Sequence, residues 1–247
     1  AVDPGQTQVT VTYSAATLAG TGVGGESPGA VRTYTLNQYD VLNLHSANAN
    51  CPNPSCSGWP SCSGDSFCYG PDLTGTLVTA NKRVAAFGGH QCTFIAHNQW
   101  ACDHMEHQLF HVEAWGKEYI AVRTEPRGQE QDYYRILASE PDTFVTWTGG
   151  SITLQAGQFH QIVTAGDMSI VGSKPILVGH YLAGQDATGY TLGGSCSRDS
   201  DCPTNYVCCQ QCGPACSPEA GDPAMMLLAP NQQFRSDYIF LVPPNYR

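Results

Sequence analysis

Apolar and polar residues alternate at period two over much of the chain. Examples are QVTVTY (8–13), VRTYTL (31–36), DVLNLH (40–45), SITL (151–154) and MSIVG (168–172). Alternation of this kind puts successive side chains on opposite faces of a strand, one facing the core. YIAV (119–122), ILVG (176–179) and YIFLV (238–242) are short, wholly apolar runs, which read as strands buried on both faces. Gly, Pro, Asn and Asp break the chain at short intervals, and no stretch of helical length keeps a 3.6-residue period without a Gly or Pro. The predicted class is all-β, a sandwich or barrel.

The pattern also recurs. Residues 1–12 align with 138–148 across one gap, 35–44 with 153–162, and 75–90 with 167–182, which puts Lys82 on Lys174. DHMEHQLFHVEAWGKEYI (103–120) aligns without gaps on DPAMMLLAPNQQFRSDYI (222–239). We expect two tandem antiparallel β-sandwich-like repeats, 1–137 and 138–247, with a β-propeller as the alternative architecture. Cysteine-rich loops at 51–68 and 196–216 are insertions that break no aligned strand. YYRIL (133–137) leads into the second unit and has no counterpart ahead of Ala1 or after Arg247. The natural chain is therefore expected to extend in both directions.

Composition narrows the function classes. Only 13% of residues are charged, three of them lysines (Lys82, Lys117, Lys174), and the formal charge is −10. Phosphate neutralisation needs clustered Lys and Arg, so a nucleic-acid partner is excluded, as is an anionic membrane surface. No apolar run reaches the roughly 18–20 residues of a membrane-spanning helix.

Twelve cysteines fall into groups of even size. The first holds Cys51, Cys56, Cys62 and Cys68, and the second Cys92 and Cys102. The third holds Cys196, Cys202, Cys208, Cys209, Cys212 and Cys216. Structural zinc wants two separated CxxC-type pairs, and only Cys209/Cys212 is spaced that way. Disulfides within each group are expected, with Cys92 bonded to Cys102, and with them an extracellular location.

The densest chemistry is CDHMEHQLFH (102–111). His104, His107 and His111 would share one face of a helix and hold a metal ion. The aligned residues Pro223, Met226 and Pro230 argue against a helix in the common fold, since proline at the last of these would break it. A Cys92–Cys102 bridge would gather His90, Asp103 and His104. A hydrogen-bonded polar network is the commoner use of such a group, and a metal-dependent hydrolase the sharper alternative. GTGVGG (20–25) matches GxGxxG, but no helix follows to receive a pyrophosphate, so it reads as a loop. Glu125 and Glu130 read as surface carboxylates and Trp115 as core. Trp59 and Trp100, each inside a cysteine-bounded loop, are candidate binding residues. No catalytic residue, metal ligand or cofactor is assigned.

Residues 72–92 (DLTGTLVTANKRVAAFGGHQC), 101–122 (ACDHMEHQLFHVEAWGKEYIAV) and 221–246 together resemble the IgGFc-binding protein N-terminal domain family. FGGHxC and the acidic CDH are the most specific parts. The resemblance points to large secreted proteins of myxobacteria and similar bacteria, and CSRDSDCP (196–203) is similar to small disulfide modules of bacterial surface proteins. Family members often carry a second acid at the place of His107. The resemblance implies an extracellular binding or adhesive role toward a protein or glycan. It supplies no catalytic residues and does not imply antibody binding for a bacterial member. A structural subunit that self-assembles into a filament or surface layer is a further alternative, since fold alone does not fix function.

Overall fold

The structure, a computed structural model, describes residues 1–47, 70–96, 102–188, 197–198, 200, 207–208, 212–213 and 222–237. Among these the regular secondary structure is strand, with short 3-10 turns, in several antiparallel sheets that close no propeller. The expected all-β class holds.

Strand β1 (Thr7–Thr12) lies between β2 (Val31–Leu36) and β3 (Leu77–Ala80). Its alternation turns Val9 and Val11 inward, where they meet Tyr13 and the partly buried Tyr34, Leu36, Leu42, Leu44 and Val84. β4 (Phe87–Phe94) pairs with β5 (Cys102–Gln108) in a separate hairpin.

The larger sheet holds β6 (Gly116–Ala121), β7 (Asp132–Ala138), β8 (Thr143–Trp147), β9 (Gly150–Leu154), β10 (Phe159–Thr164) and the long β11 (Met168–Leu182). A tiny ribbon follows, β12 (Val207–Cys208) with β13 (Cys212–Gly213), and then β14 (Ala224–Leu227). β11 changes partners along its length. Its first half pairs with β6 and β8, and its second with β7 and β14. The change falls at the register break between Val171 and Ile176, where Pro175 has no N–H to give a ladder. The result is two layers, β9-β8-β11-β6 and β10-β7-β11-β14, enclosing one core of twelve buried residues. Tyr119 sits wholly buried there, and its hydroxyl donates to the Ile176 carbonyl at 2.6 Å.

The same pairings recur in the two halves. Thr7 opposite Leu36 and Val11 opposite Arg32 correspond to Thr143 opposite Leu154 and Trp147 opposite Gly150. Val78 opposite Val11 corresponds to Ile170 opposite Trp147. Phe87 opposite Gln108 corresponds to Gly179 opposite Leu227. Lys82 Nζ donates to the Pro4 carbonyl at 2.9 Å, and Lys174 Nζ to that of Pro141 at 2.5 Å. The Tyr39 N–H donates to Ala1 and the Gly157 N–H to Ala138, with φ of 69° and 78° at the two donors. The 3-10 turns Val112–Ala114 and Asn231–Gln233 also correspond.

Two features depart from the sequence pattern. DVLNLH (40–45) forms no strand, although its aligned segment covers β10 up to Val163. β6 and β7 lie in the first aligned half but hydrogen-bond into the sheet of the second. Where the two halves meet, Gly75 packs against the Gly157 carbonyl so closely that a Cβ there would stand 2.0 Å from it. Beside this contact Asp72 pairs with Arg135 at 2.6 Å. Burial pushes the Asp72 carboxyl up, but the guanidinium and the Thr74 hydrogen bonds outweigh it and hold the group below its ordinary value.

Candidate functional site

The β4–β5 hairpin carries parts of two family-like segments and three of the histidines singled out in the sequence, His90, His104 and His107. Cys92 and Cys102 are bridged across it, with Cα atoms 5.0 Å apart. None of the described cysteines is free, and Cys208 is also bonded. The cysteines of 51–68 and most of 196–216 lie outside the described residues, as do Trp59 and Trp100.

FGGH has a steric basis here. A Cβ on Gly89 would fall 2.3 Å from the Met105 carbonyl oxygen across the hairpin, and one on Gly88 would press on Leu109 at 3.3 Å. Gly89→Val is therefore expected to lower the unfolding free energy by about 1–3 kcal/mol, as overpacking does, measured by urea titration. The bridge closes a loop of sequence separation 10. On the chain-entropy account, Cys92→Ser/Cys102→Ser should cost about 3 kcal/mol, read as a lower urea midpoint than the bridged chain.

β5 is extended, so a helical face through His104, His107 and His111 does not exist. His104 and Glu106 point to one side, with His104 Nε2 3.4 Å from Glu106 Oε2, both well exposed. On the opposite side Met105 is buried, and His107 has its Nδ1 2.7 Å from the Gln108 carbonyl. The His107 ring meets Phe110 edge-on, with centroids 6.0 Å apart. His111 lies beyond the strand, at the start of a 3-10 turn.

The bridge does bring His90 and Asp103 to the same end of the hairpin, on either side of a bulge between His90 and Thr93. Each is engaged locally. The Cys92 N–H donates to His90 Nδ1 at 3.1 Å, and the His104 N–H to Asp103 Oδ1 at 2.7 Å. Among the described residues no group of three His, Cys, Asp or Glu is placed to hold a metal ion.

The remaining residues singled out in the sequence separate. GTGVGG is a turn with a Gly20–Val23 bridge and no helix after it. Trp115 is half-buried and donates Nε1–H to the Phe110 carbonyl at 3.2 Å, while its counterpart Phe234 is exposed. Beyond these residues, Trp147 packs on the larger core beside His160. Glu125 is exposed, but Glu130 is buried, which corrects its reading as a surface carboxylate. Glu130 lies there because its Oε1 accepts from the Arg127 N–H at 2.6 Å, with the Arg127 guanidinium alongside.

One polar group was not singled out in the sequence. Asp132 and His180, 1% and 3% exposed at their side chains, pair at 2.9 Å between neighbouring strands. Thr124 donates to Asp132 from its backbone N–H and its hydroxyl, and Tyr134 stacks on the His180 ring at 4.4 Å. Burial first, then the nearby Asp132 and Asp167 carboxylates, push the Tyr134 phenol up. This group is sealed in the core, out of reach of a ligand. The hairpin and its base are accessible, with Phe87, Leu109 and Val112 exposed beside the His104/Glu106 face. That mixture of apolar and charged groups suits contact with another macromolecule.

The family model described as IgGFc binding protein matches residues 1–247. A curated human relative, IgGFc-binding protein, is 38% identical over 90 residues, 35% of this chain, and the chain spans 2% of that relative's length. No solved structure matches the chain. The relative is human, and the comparisons do not support the expected bacterial source.

Proposed function

From a chain that belongs to the IgGFc binding protein family over its whole length, we propose an extracellular protein-binding module without enzymatic activity, part of a larger secreted or surface protein. The observation that carries the reading is the bridged β4–β5 hairpin. It presents exposed His104, Glu106 and Phe87 to solvent on a stapled, rigid frame, and its histidines do not converge. The name of the human relative indicates a protein ligand for that protein. A glycan ligand is less favoured, because the exposed apolar groups at the hairpin base suit a protein surface. We read the chain as two units, 1–137 and 138–247, a division supported by the matched registers. Trp59 and Trp100 are proposed to add to the binding surface. A bacterial source rests on the likeness of 196–203 to small disulfide modules of bacterial surface proteins.

The test is a calorimetric titration of the purified chain with IgG Fc, the ligand in the relative's name, alongside elemental analysis of protein prepared without chelator. Saturable binding is expected. The double variant His104→Ala/Glu106→Ala should weaken it by about tenfold, the scale of one interface residue worth roughly 1.4 kcal/mol, with the unfolding midpoint unchanged. Stoichiometric zinc, lost on His104→Ala or His107→Ala, would replace this reading with the hydrolase. Absence of Fc binding would remove Fc as the ligand.

A further inference from the structure

In the second half of the chain, β11 is covered along both edges. Its first half runs between β8 and β6, and its second between β7 and β14. In the first half of the chain the same course is followed by β3 and then β4. β3 has β1 on the side that corresponds to β8, and β4 has β5 on the side that corresponds to β14. The two edges that correspond to those taken by β6 and β7 carry no strand among the described residues. By register they are 76–79, matching 168–171 against β6, and 84–89, matching 176–181 against β7.

Side chains on these edges are patterned for a core they do not complete. Val78 is 39% exposed where its counterpart Ile170 is 0% exposed. Val84 and Ala86 are half-buried where Ile176 and Val178 are fully buried. Phe87 is exposed where its counterpart Gly179 is buried. Segment 41–46 tells the same story. β10 pairs with β7 alone, and 41–46, its counterpart, alternates like a strand yet forms none, with Val41 86% exposed. A segment patterned for a ladder but lacking its neighbour would look this way. An unpaired, apolar strand edge is a template for another strand.

We propose that 76–79 and 84–89 form a two-slot acceptor for the β6–β7 strand pair of another repeat of this kind, so that consecutive repeats interlock by each giving its pair to the next. The occupant follows from the geometry. The two edges belong to different layers, separated by the bend at 80–83, so one straight strand cannot fill both. A linked pair is needed, one strand for each layer, which is what β6, the link 122–131 and β7 supply to β11 within this chain. The first unit gives its pair forward, and among the described residues no strand lies on its own edges of the same register.

The test places a second copy of residues 116–137 directly ahead of Ala1 in the full chain, which reproduces the spacing of β7 to β8, and reads amide hydrogen exchange by mass spectrometry. Exchange should slow by at least about tenfold, as for newly buried ladder amides, at 76–79, 84–89 and 41–46, with 168–182 unchanged. The same extension carrying prolines at the positions copied from Tyr134 and Ile136, which cannot pair as a central strand, should leave exchange at 84–89 and 41–46 as in the unextended chain. No new protection, or equal protection with the proline form, would overturn the proposal. So would concentration-dependent protection of these edges in the unextended chain, which would make a second copy the occupant.

Discussion

Asp132→Ala is expected to lower the unfolding free energy by about 3–5 kcal/mol, because each buried donor that loses its acceptor costs about 1–3 kcal/mol. The change strands His180 in a fully buried site and removes the acceptor for both donors of Thr124. It also loosens the link between β7 and β11, the strands that bind the two aligned halves together. Asp132→Asn keeps the shape and an oxygen acceptor and should cost less. Exposed His104→Ala should stay within about 0.5 kcal/mol of the parent. Urea unfolding of the three variants at one pH gives the order. An Asp132→Ala protein as stable as the parent would mean that this pair does not hold the larger core.

Much of the architecture was legible from alternation and self-similarity. β2 coincides with VRTYTL, and β1, β7 and β9 agree with their predicted runs to within a residue. MSIVG and ILVG merge into the single β11 because a register break at GSKP, with Pro175 at its end, interrupts the pairing without ending the strand. The failure at DVLNLH has a definite cause. Alternation reports which face a residue prefers but not whether a neighbouring strand is there to receive its hydrogen bonds. The alignment showed which segments repeat and left unseen that β6 and β7 pair forward, into the next unit, because pairing partners leave no mark on periodicity.

The site divides along similar lines. The prolines and methionine opposite the histidines of CDHMEHQLFH argued against a helix, and β5 is a strand. Gly89 could be noted in FGGHxC, but the reason for it, the approach of the Met105 carbonyl, needed the cross-strand register. His180 stood inside the apolar run ILVGHYL, and a histidine in a buried run calls for a partner. Asp132, 48 residues away in sequence, could be chosen from among the acids only once β7 and β11 were seen side by side. Glu130 gave no sequence signal of its burial.

The second large effect concerns the boundary of the folding unit. The core around β11 takes Tyr119 and Ala121 from β6, and Tyr134, Ile136 and Ala138 from β7, five of its twelve buried residues. Burial of a side chain the size of Ile or larger contributes about 1.5–3 kcal/mol. Losing Tyr119, Tyr134 and Ile136 together therefore removes an amount comparable with the whole stability of a domain, about 5–15 kcal/mol. It also strips β10 of its neighbour and leaves both halves of β11 with one open edge. On the proposed division, the repeat units and the folding units are offset by one strand pair. Thermal unfolding of two fragments, 116–247 and 138–247, followed by circular dichroism under identical oxidising conditions, tests this most directly. The longer fragment should melt in one cooperative transition, and the shorter should show none. A 138–247 fragment that melts as sharply and as high as 116–247 would contradict the shared-strand account.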